Sequence, residues 1–277
     1  MPIDSRKNRA GLPDFSDFPS LEKGTVWLVG AGPGAPGLLT LLASHAIGSA
    51  DVIIHDALVG PGILELAPDG CTLIFAGKRG GMPSAEQDDI CDLMIAEARK
   101  GHRVVRLKGG DPFMFGRGAE ECLKLSAAGI PFRVVPGISA GIGGLAYAGI
   151  PVTHRTTNHS VLFLTGHDRQ GLVPSAVDWN GVARAAPVIV MYMALKHLGD
   201  IADRLIAAGR SSSDPLAIVS NATLPDQKVR RGTLGTVRTM LRAQGIAPPA
   251  IIVAGPVVEL GERIHWYRDR LRSNGNG

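Results

Sequence analysis

Four short runs in this chain carry the residue types from which a small-molecule site is built. The first is Gly30-Ala31-Gly32-Pro33-Gly34, directly after the apolar run Thr25 to Val29. Gly30, Gly32 and Ala35 satisfy the G-x-G-x-x-A spacing of a nucleotide-binding turn, in which missing side chains let backbone close on a ligand. Pro33 and Pro36 argue against the usual pyrophosphate-holding helix start. Asp56 ends the next apolar run, near the place of a ribose-binding acid in a dinucleotide fold, which admits a nicotinamide-dependent dehydrogenase. The second run is Lys108 to Gly118, with four glycines in eleven residues, again permitting close approach of backbone. Asp111, ahead of Pro112, is restricted to extended or turn geometry. Its carboxylate then either faces an amino group or ribose hydroxyl, or closes an Asp-Pro turn before the next helix. Both readings stand. The third run, Pro136-Gly137-Ile138-Ser139-Ala140, repeats the small-residue turn after a strand. The fourth is Gly77-Lys78-Arg79-Gly80-Gly81, where permissive backbone around Lys78 favours a site.

Other polar residues speak less clearly. Arg106, Lys108 and Arg117, taken singly, read as solvated surface cations. His154, Arg155, His159 and His167 have no metal-ligand spacing, and no metal is expected. Met191 and Met193 flank Tyr192 at the end of an apolar run: Met191 reads as core, whereas Met193 fits either core or the border of a ligand.

These runs need rigid elements to hold them. The chain has 277 residues, 45% of them hydrophobic and 19% charged, which is enough apolar material for one large or two modest domains. Net charge is +4, from 29 Lys and Arg against 25 Asp and Glu. This permits an anionic small substrate. Aromatics at 5% with no interleaved Lys/Arg stripe argue against nucleic acid. Three unspaced cysteines read as reduced buried thiols. Residues 1–24 lack the apolar core of a signal peptide, and Gly137 to Val152 is too short and glycine-rich to span a bilayer, so a cytoplasmic protein without membrane segments is expected.

Apolar runs Thr25 to Val29, Asp51 to Asp56, Thr72 to Ala76, Arg103 to Leu107 and Phe132 to Val135 predict strands. Helical spacing at Leu38, Leu41, Leu42 and His45, a helix from Ser84 and Gln87 to Gly101, and a helix Ala119 to Ala128 alternate with them. A second series follows with strands Val161 to Thr165, Val188 to Tyr192, Leu216 to Ser220 and Ala250 to Ala254, an alternating stretch Lys228 to Gly232, and a helical stripe at Leu195, Leu198, Ile201, Ala202 and Leu205. The alternation predicts an α/β protein with two lobes, mostly parallel sheets and a cleft between them. The expected divisions are a tail over 1–23, a lobe over 24–150, a linker over 151–159, a second lobe over 160–264 and a tail over 265–277.

Taken in order, Val29 to Gly34, His55-Asp56-Ala57-Leu58-Val59, Gly77-Lys78-Arg79, Lys108 to Gly118, Val135 to Ala140, Gly149 to Arg155 and Thr165-Gly166-His167 closely resemble the tetrapyrrole methylase family. Within it, the chain resembles the members that methylate uroporphyrinogen III. The resemblance runs from about Gly24 to Leu260. It implies a homodimeric enzyme that binds S-adenosylmethionine between two α/β lobes and releases S-adenosylhomocysteine. It further implies methylation of uroporphyrinogen III at two pyrrole rings to give precorrin-2, for sirohaem or cobalamin. Carried across by position, it sets the donor against Pro33, Gly109, Gly110, Asp111, Met114, Ser139, Ala140, Met193 and Ala222. It makes Asp56 the proton acceptor and Lys78 the proton donor. Arg79, Arg117, His154 and Arg155 are expected partners for substrate carboxylates, on charge and location. Three positions depart from the family pattern. Ala194 and Ala222 stand where glycine is common, which implies extra bulk against the donor, and Met114 replaces a common isoleucine. Rival readings are a later precorrin methyltransferase or diphthine synthase, the dehydrogenase above, and a non-catalytic tetrapyrrole or nucleotide sensor. No length is expected to remain for a fused dehydrogenase and chelatase module.

Overall fold

The computed structural model describes residues 18–77, 87–168, 170–242, 245–264 and 266–267. Packing divides the chain into two compact units: Leu39–Gly137 with the chain up to Ala31, and Gly32–Leu38 with the chain from Ile138 onward. The division falls ahead of segment 151–159, where the sequence placed it. The reason is that the glycine-rich stretch after Ser139 is a helix whose Leu145 packs with Val190 and Ile251 of the second unit.

The first unit is built on strands β1 (Val26–Gly30), β2 (Val52–His55), β3 (Thr72–Phe75), β4 (Val104–Lys108) and β5 (Phe132–Val135). They form one sheet of order β3-β2-β4-β1-β5, parallel throughout. Every residue of β1 and β4 is buried, which is what a parallel strand covered on both faces requires. Helices α1 (Leu41–Gly48) and α2 (Pro61–Leu64) cover one face, where Ala43, Ala46, Ile47 and Ile63 pack on Trp27, Val29, Ile53, Val105 and Leu107. Helices α3 (Gln87–Arg99) and α4 (Gly118–Ala127) cover the other, where Met94, Cys122 and Leu125 meet Val26, Leu28, Ile54 and Val104. Each Val, Leu, Ile or Met side chain removed from water contributes roughly 1.5–3 kcal/mol, so both faces hold the sheet. Strands β1 and β4 are neighbours, yet β1 leads to a helix on one face and β4 to a helix on the other. The connections therefore diverge, and the carboxyl ends of these strands form the topological switch point at which open α/β sheets take ligands.

The second unit contains α5 (Ala140–Tyr147), β6 (Val161–Thr165), α6 (Trp179–Ala185), β7 (Val188–Tyr192), α7 (Leu198–Ala207), β8 (Pro215–Ser220), β9 (Lys228–Thr233), α8 (Val237–Arg242), β10 (Ala250–Ala254) and α9 (Val257–Leu260). Its sheet has the order β6-β7-β10-β8-β9. Here the expectation of a mostly parallel sheet is corrected: β6 and β7 are parallel, but β10 runs against both neighbours and β9 against β8. The connection 221–227 is too short for a crossover, which takes about a dozen residues or more, so β9 must return antiparallel. The stripe Leu198, Ile201, Ala202 and Leu205 is buried on α7 as expected. Among the described residues no helix is long and apolar enough to cross a membrane.

Candidate active site

In the first unit, three strand exits meet at glycine. A Cβ on Gly30 would lie 2.5 Å from Gly137 Cα and 2.7 Å from the Gly110 carbonyl oxygen, and one on Gly137 would lie 2.2 Å from that same oxygen. No side chain fits at Gly30 or Gly137, so the exits of β1, β4 and β5 touch backbone to backbone. Hydrogen bonds hold them: Ala31 N donates to Lys108 O at 2.7 Å, and Gly137 N donates to Asp111 Oδ2 at 3.0 Å. The other oxygen of Asp111 accepts from Phe113 N at 2.8 Å. Asp111 therefore closes a turn and staples β4 to β5, while each oxygen keeps a free lone pair for a further donor. Asp56 does the same at the exit of β2, with Oδ1 accepting from Leu58 N at 2.8 Å and Oδ2 from Gly109 N at 3.0 Å. Asp56, Gly109, Gly110, Asp111 and Met114 are all partly buried. Four strand exits of one sheet are thus locked together, with two carboxylates as the fasteners.

Below this platform lies a charge cluster that overturns the surface reading of two cations. Alternation along β4 points Arg106 and Lys108 into the helix-covered face, where they are 3% and 4% exposed. Glu121 of α4, fully buried, receives Arg106 Nε at 3.1 Å, Lys108 Nζ at 2.9 Å and Gln87 Nε2 at 2.8 Å, all on Oε1. Its Oε2 has no hydrogen-bond partner among the described residues. Burial and the neighbouring Arg106 push the Lys108 ammonium down, against the pull of Glu121. Two cations against one carboxylate leave positive charge directly beneath the loop that carries Gly109 and Asp111.

The second unit presents its own set. Ser139 precedes α5, and its hydroxyl lies 2.6 Å from Tyr192 Oη instead of capping the helix; Gly141 N also donates to Tyr192 Oη, at 3.0 Å. A Cβ on Gly141 would lie 2.2 Å from that oxygen, so the glycine is what admits the tyrosine. Ala140 is the first residue of the helix thus pinned. Met193 adopts φ +53° and is 46% exposed, with its carbonyl 3.3 Å from His167 Nδ1, whereas Met191 is buried. Pro33 packs near Gly143 of α5, at 3.3 Å from a Cβ built there. Ala222 is buried, and its methyl points at Gly144, 2.8 Å from a Cβ placed there. Ala194 likewise lies against Gly166. The extra bulk expected from these two alanines is therefore taken up by glycines of the same unit.

Of the cations expected to meet substrate, Arg117 is half exposed and paired with Glu120, Nε to Oε2 at 2.9 Å. His154 and Arg155 are exposed, with His154 Nδ1 within 3.0 Å of Thr157 Oγ1. Lys78 and Arg79 lie outside the described residues, as does Ser84 of the expected helix start. Sequence reasoning passed over Tyr192, Glu121 and Thr223. Tyr192 and Glu121 sit in ordinary strand and helix patterns; their signal is a lone polar residue at the end or on the inner face of an apolar element.

The description Tetrapyrrole (Corrin/Porphyrin) Methylases matches residues 25–238, and the chain belongs to that family. It is 59% identical over 252 residues to a protein of Sinorhizobium sp named uroporphyrinogen-III C-methyltransferase, covering 91% of this chain and 90% of that one. It is 45% identical over 253 residues to a siroheme synthase of Nitrosomonas eutropha, covering 91% of this chain but 53% of the relative, so it spans about half of that protein. Among solved structures, the uroporphyrin-III C-methyl transferase of Thermus thermophilus complexed with S-adenyl homocysteine superposes with a TM-score of 0.75 at 36% identity, covering 85% of this chain and 99% of that one.

Proposed function

We propose that this protein transfers methyl groups from S-adenosylmethionine to two pyrrole rings of uroporphyrinogen III, giving precorrin-2 for sirohaem or cobalamin and leaving S-adenosylhomocysteine. The observation that carries this reading is the locked meeting of the β1, β4 and β5 exits at Gly30, Gly110 and Gly137, beside a carboxylate with spare acceptor capacity. Its relatives by sequence and structure support the same activity.

The residues present fit the donor. Gly109 and Gly110 place backbone without side chains at the exit of β4, and Asp111 offers an acceptor for an amino group or ribose hydroxyls. The resemblance also assigns to the donor Met114 of the first unit and Pro33, Ser139, Ala140, Met193 and Ala222 of the second, the two methionines as polarizable apolar side chains. S-adenosylmethionine supplies an electrophilic methyl on sulfonium when bound. The chain's own task is chiefly orientation, since a misplacement of about 1 Å costs on the order of 100-fold in rate. Each methyl arrives as CH3+ and is matched by the net loss of one proton: Asp56, held by two backbone N–H groups, accepts the proton released from a methylated ring and passes it to solvent, and Lys78 donates only where a tautomeric shift removes a second proton. Arg79, Arg117, His154 and Arg155 pair with the substrate's carboxylates, Arg117 exchanging Glu120 for one of them. The same reading has the chain working as a homodimer in the cytoplasm.

The test is anaerobic incubation of purified protein with labelled S-adenosylmethionine and uroporphyrinogen III, followed by mass analysis. Gain of two methyl groups is expected. No transfer, or transfer only to a later precorrin, overturns the assignment.

A further inference from the structure

We propose that Thr223 is a positioning residue for the methyl donor, its hydroxyl fixing the Pro33 turn against the Ala222 turn. The proposal rests on the donor reading above. Thr223 is 2% exposed and holds φ +73°, a left-handed backbone that a β-branched residue adopts only when its surroundings impose it. Asn221, two residues earlier, is also left-handed at φ +47°. A glycine would take this backbone without strain, so threonine at this position is informative: its side chain must do something glycine cannot.

The side chain makes one hydrogen bond and the backbone of the same residue makes two. Ala35 N donates to Thr223 Oγ1 at 2.9 Å, across 188 residues of sequence. Thr223 N donates to Gln227 Oε1 at 2.7 Å, and Tyr267 Oη donates to Thr223 O at 2.9 Å. The second and third partners are themselves anchored to α5. Gln227 Nε2 donates to Tyr147 O at 3.1 Å, while Tyr267 packs 4.8 Å from the Tyr147 ring and 5.7 Å from Trp266. Trp266 Nε1 in turn donates to Ala146 O at 3.0 Å. The backbone of Thr223 is thus fixed to the far end of the helix that begins at Ala140. Its hydroxyl then fixes a separate piece of chain, the turn carrying Pro33 and Gly34. That turn is close against it: a Cβ on Gly34 would lie 3.1 Å from Thr223 Oγ1 and 3.2 Å from Ala222 O. Pro33, Ala140 and Ala222, three proposed donor contacts, are therefore referred to one threonine.

The experiment measures S-adenosylhomocysteine affinity by calorimetry, well below each variant's melting temperature, together with KM and kcat. Thr223→Val keeps the shape and removes the acceptor, leaving Ala35 N–H without a partner. A rise of about tenfold in Kd, matched in KM for S-adenosylmethionine, with kcat at saturation within about twofold, is the expected result. Thr223→Ser should restore affinity to within about threefold of wild type, because it returns the acceptor. If the valine variant does not fold, Thr223→Gly removes both strain and hydroxyl and should show the same loss of affinity. Wild-type affinity in a folded variant lacking the hydroxyl overturns the proposal, as does a fall in melting temperature with unchanged Kd. If the wild-type chain itself fails to bind S-adenosylhomocysteine, the donor reading falls first.

Discussion

Adding one methyl group at Gly137 tests the convergence of strand exits directly. The Cβ introduced by Gly137→Ala would sit 2.2 Å from Gly110 O, 2.8 Å from Gly30 Cα and 2.9 Å from Gly30 C. Ordinary contact begins near 3.4 Å, so the nearest pair must separate by more than 1 Å. All three neighbours are main-chain atoms, and no rotamer can turn aside. The exits are also tied by Ala31 N to Lys108 O and by Gly137 N to Asp111, so relief means stretching those bonds. Overpacking of this kind costs about 1–3 kcal/mol. In a chain of this size that lowers the melting temperature by roughly 3–10 °C. The displacement reaches Gly110 and Asp111 directly, so S-adenosylhomocysteine should bind more weakly, and a shift of about 1 Å at such groups costs on the order of 100-fold in rate. Calorimetric titration with S-adenosylhomocysteine, steady-state kinetics and a thermal melt measure these quantities. Gly48→Ala is the control, since nothing lies within 4 Å of a Cβ there; it should leave affinity intact and raise stability by about 0.4–1 kcal/mol. Should the Gly137 variant keep wild-type affinity and melting temperature, the exits are not packed as described and the reasoning fails.

Three further perturbations follow from the same geometry. Glu121→Leu strands two buried cations and should lose about 3–5 kcal/mol in urea denaturation, most of it regained when Arg106 and Lys108 are also made apolar; a small loss in the single variant would contradict the cluster. Asp111→Ala frees the N–H groups of Phe113 and Gly137 and removes the acceptor proposed for the donor, so S-adenosylhomocysteine binding should weaken by about 1.5–3 kcal/mol, and unchanged affinity would refute that role. Asp51 is held at about 2, below its ordinary 3.8, by hydrogen bonds from the Arg103 side chain and backbone. Its contribution is complete above pH 3.8 and vanishes as pH falls toward 2. The stability gap between wild type and Asp51→Asn should be roughly 1 kcal/mol at neutral pH, allowing for solvent screening, and should narrow below pH 4. A gap independent of pH would refute the pairing.

Much of this frame was legible because its strands are long apolar runs of Val, Ile and Leu bounded by glycine. Val161–Thr165, Val188–Tyr192 and Ala250–Ala254 have the expected limits. Direction was not legible: β8 and β10 are buried on both faces although antiparallel, so they read as parallel strands do. Helix α5 escaped notice because Gly141, Gly143 and Gly144 depress helix propensity, and those glycines are what bring it against Tyr192, Ile138 and Ala222. The two aspartates were recognisable as special, but not that both oxygens of each would be engaged by backbone, because Gly109 and Gly137 are distant in sequence. Arg106 and Lys108 looked solvated because their partner Glu121 lies on the following helix. The left-handed backbone at Thr223 leaves no local trace at all, since threonine disfavours it; only the completed fold imposes it.

The bond from Ala35 to Thr223 has a consequence for how the protein is made. During translation the Pro33 turn emerges 188 residues ahead of the threonine that anchors it. At about 5–20 residues per second, the ribosome leaves that turn untethered for roughly 10–40 s. The first sheet can close in that interval, because its last strand ends at Val135. A nascent chain can therefore own a finished β-sheet while the turn proposed to seat its methyl donor still waits for its anchor.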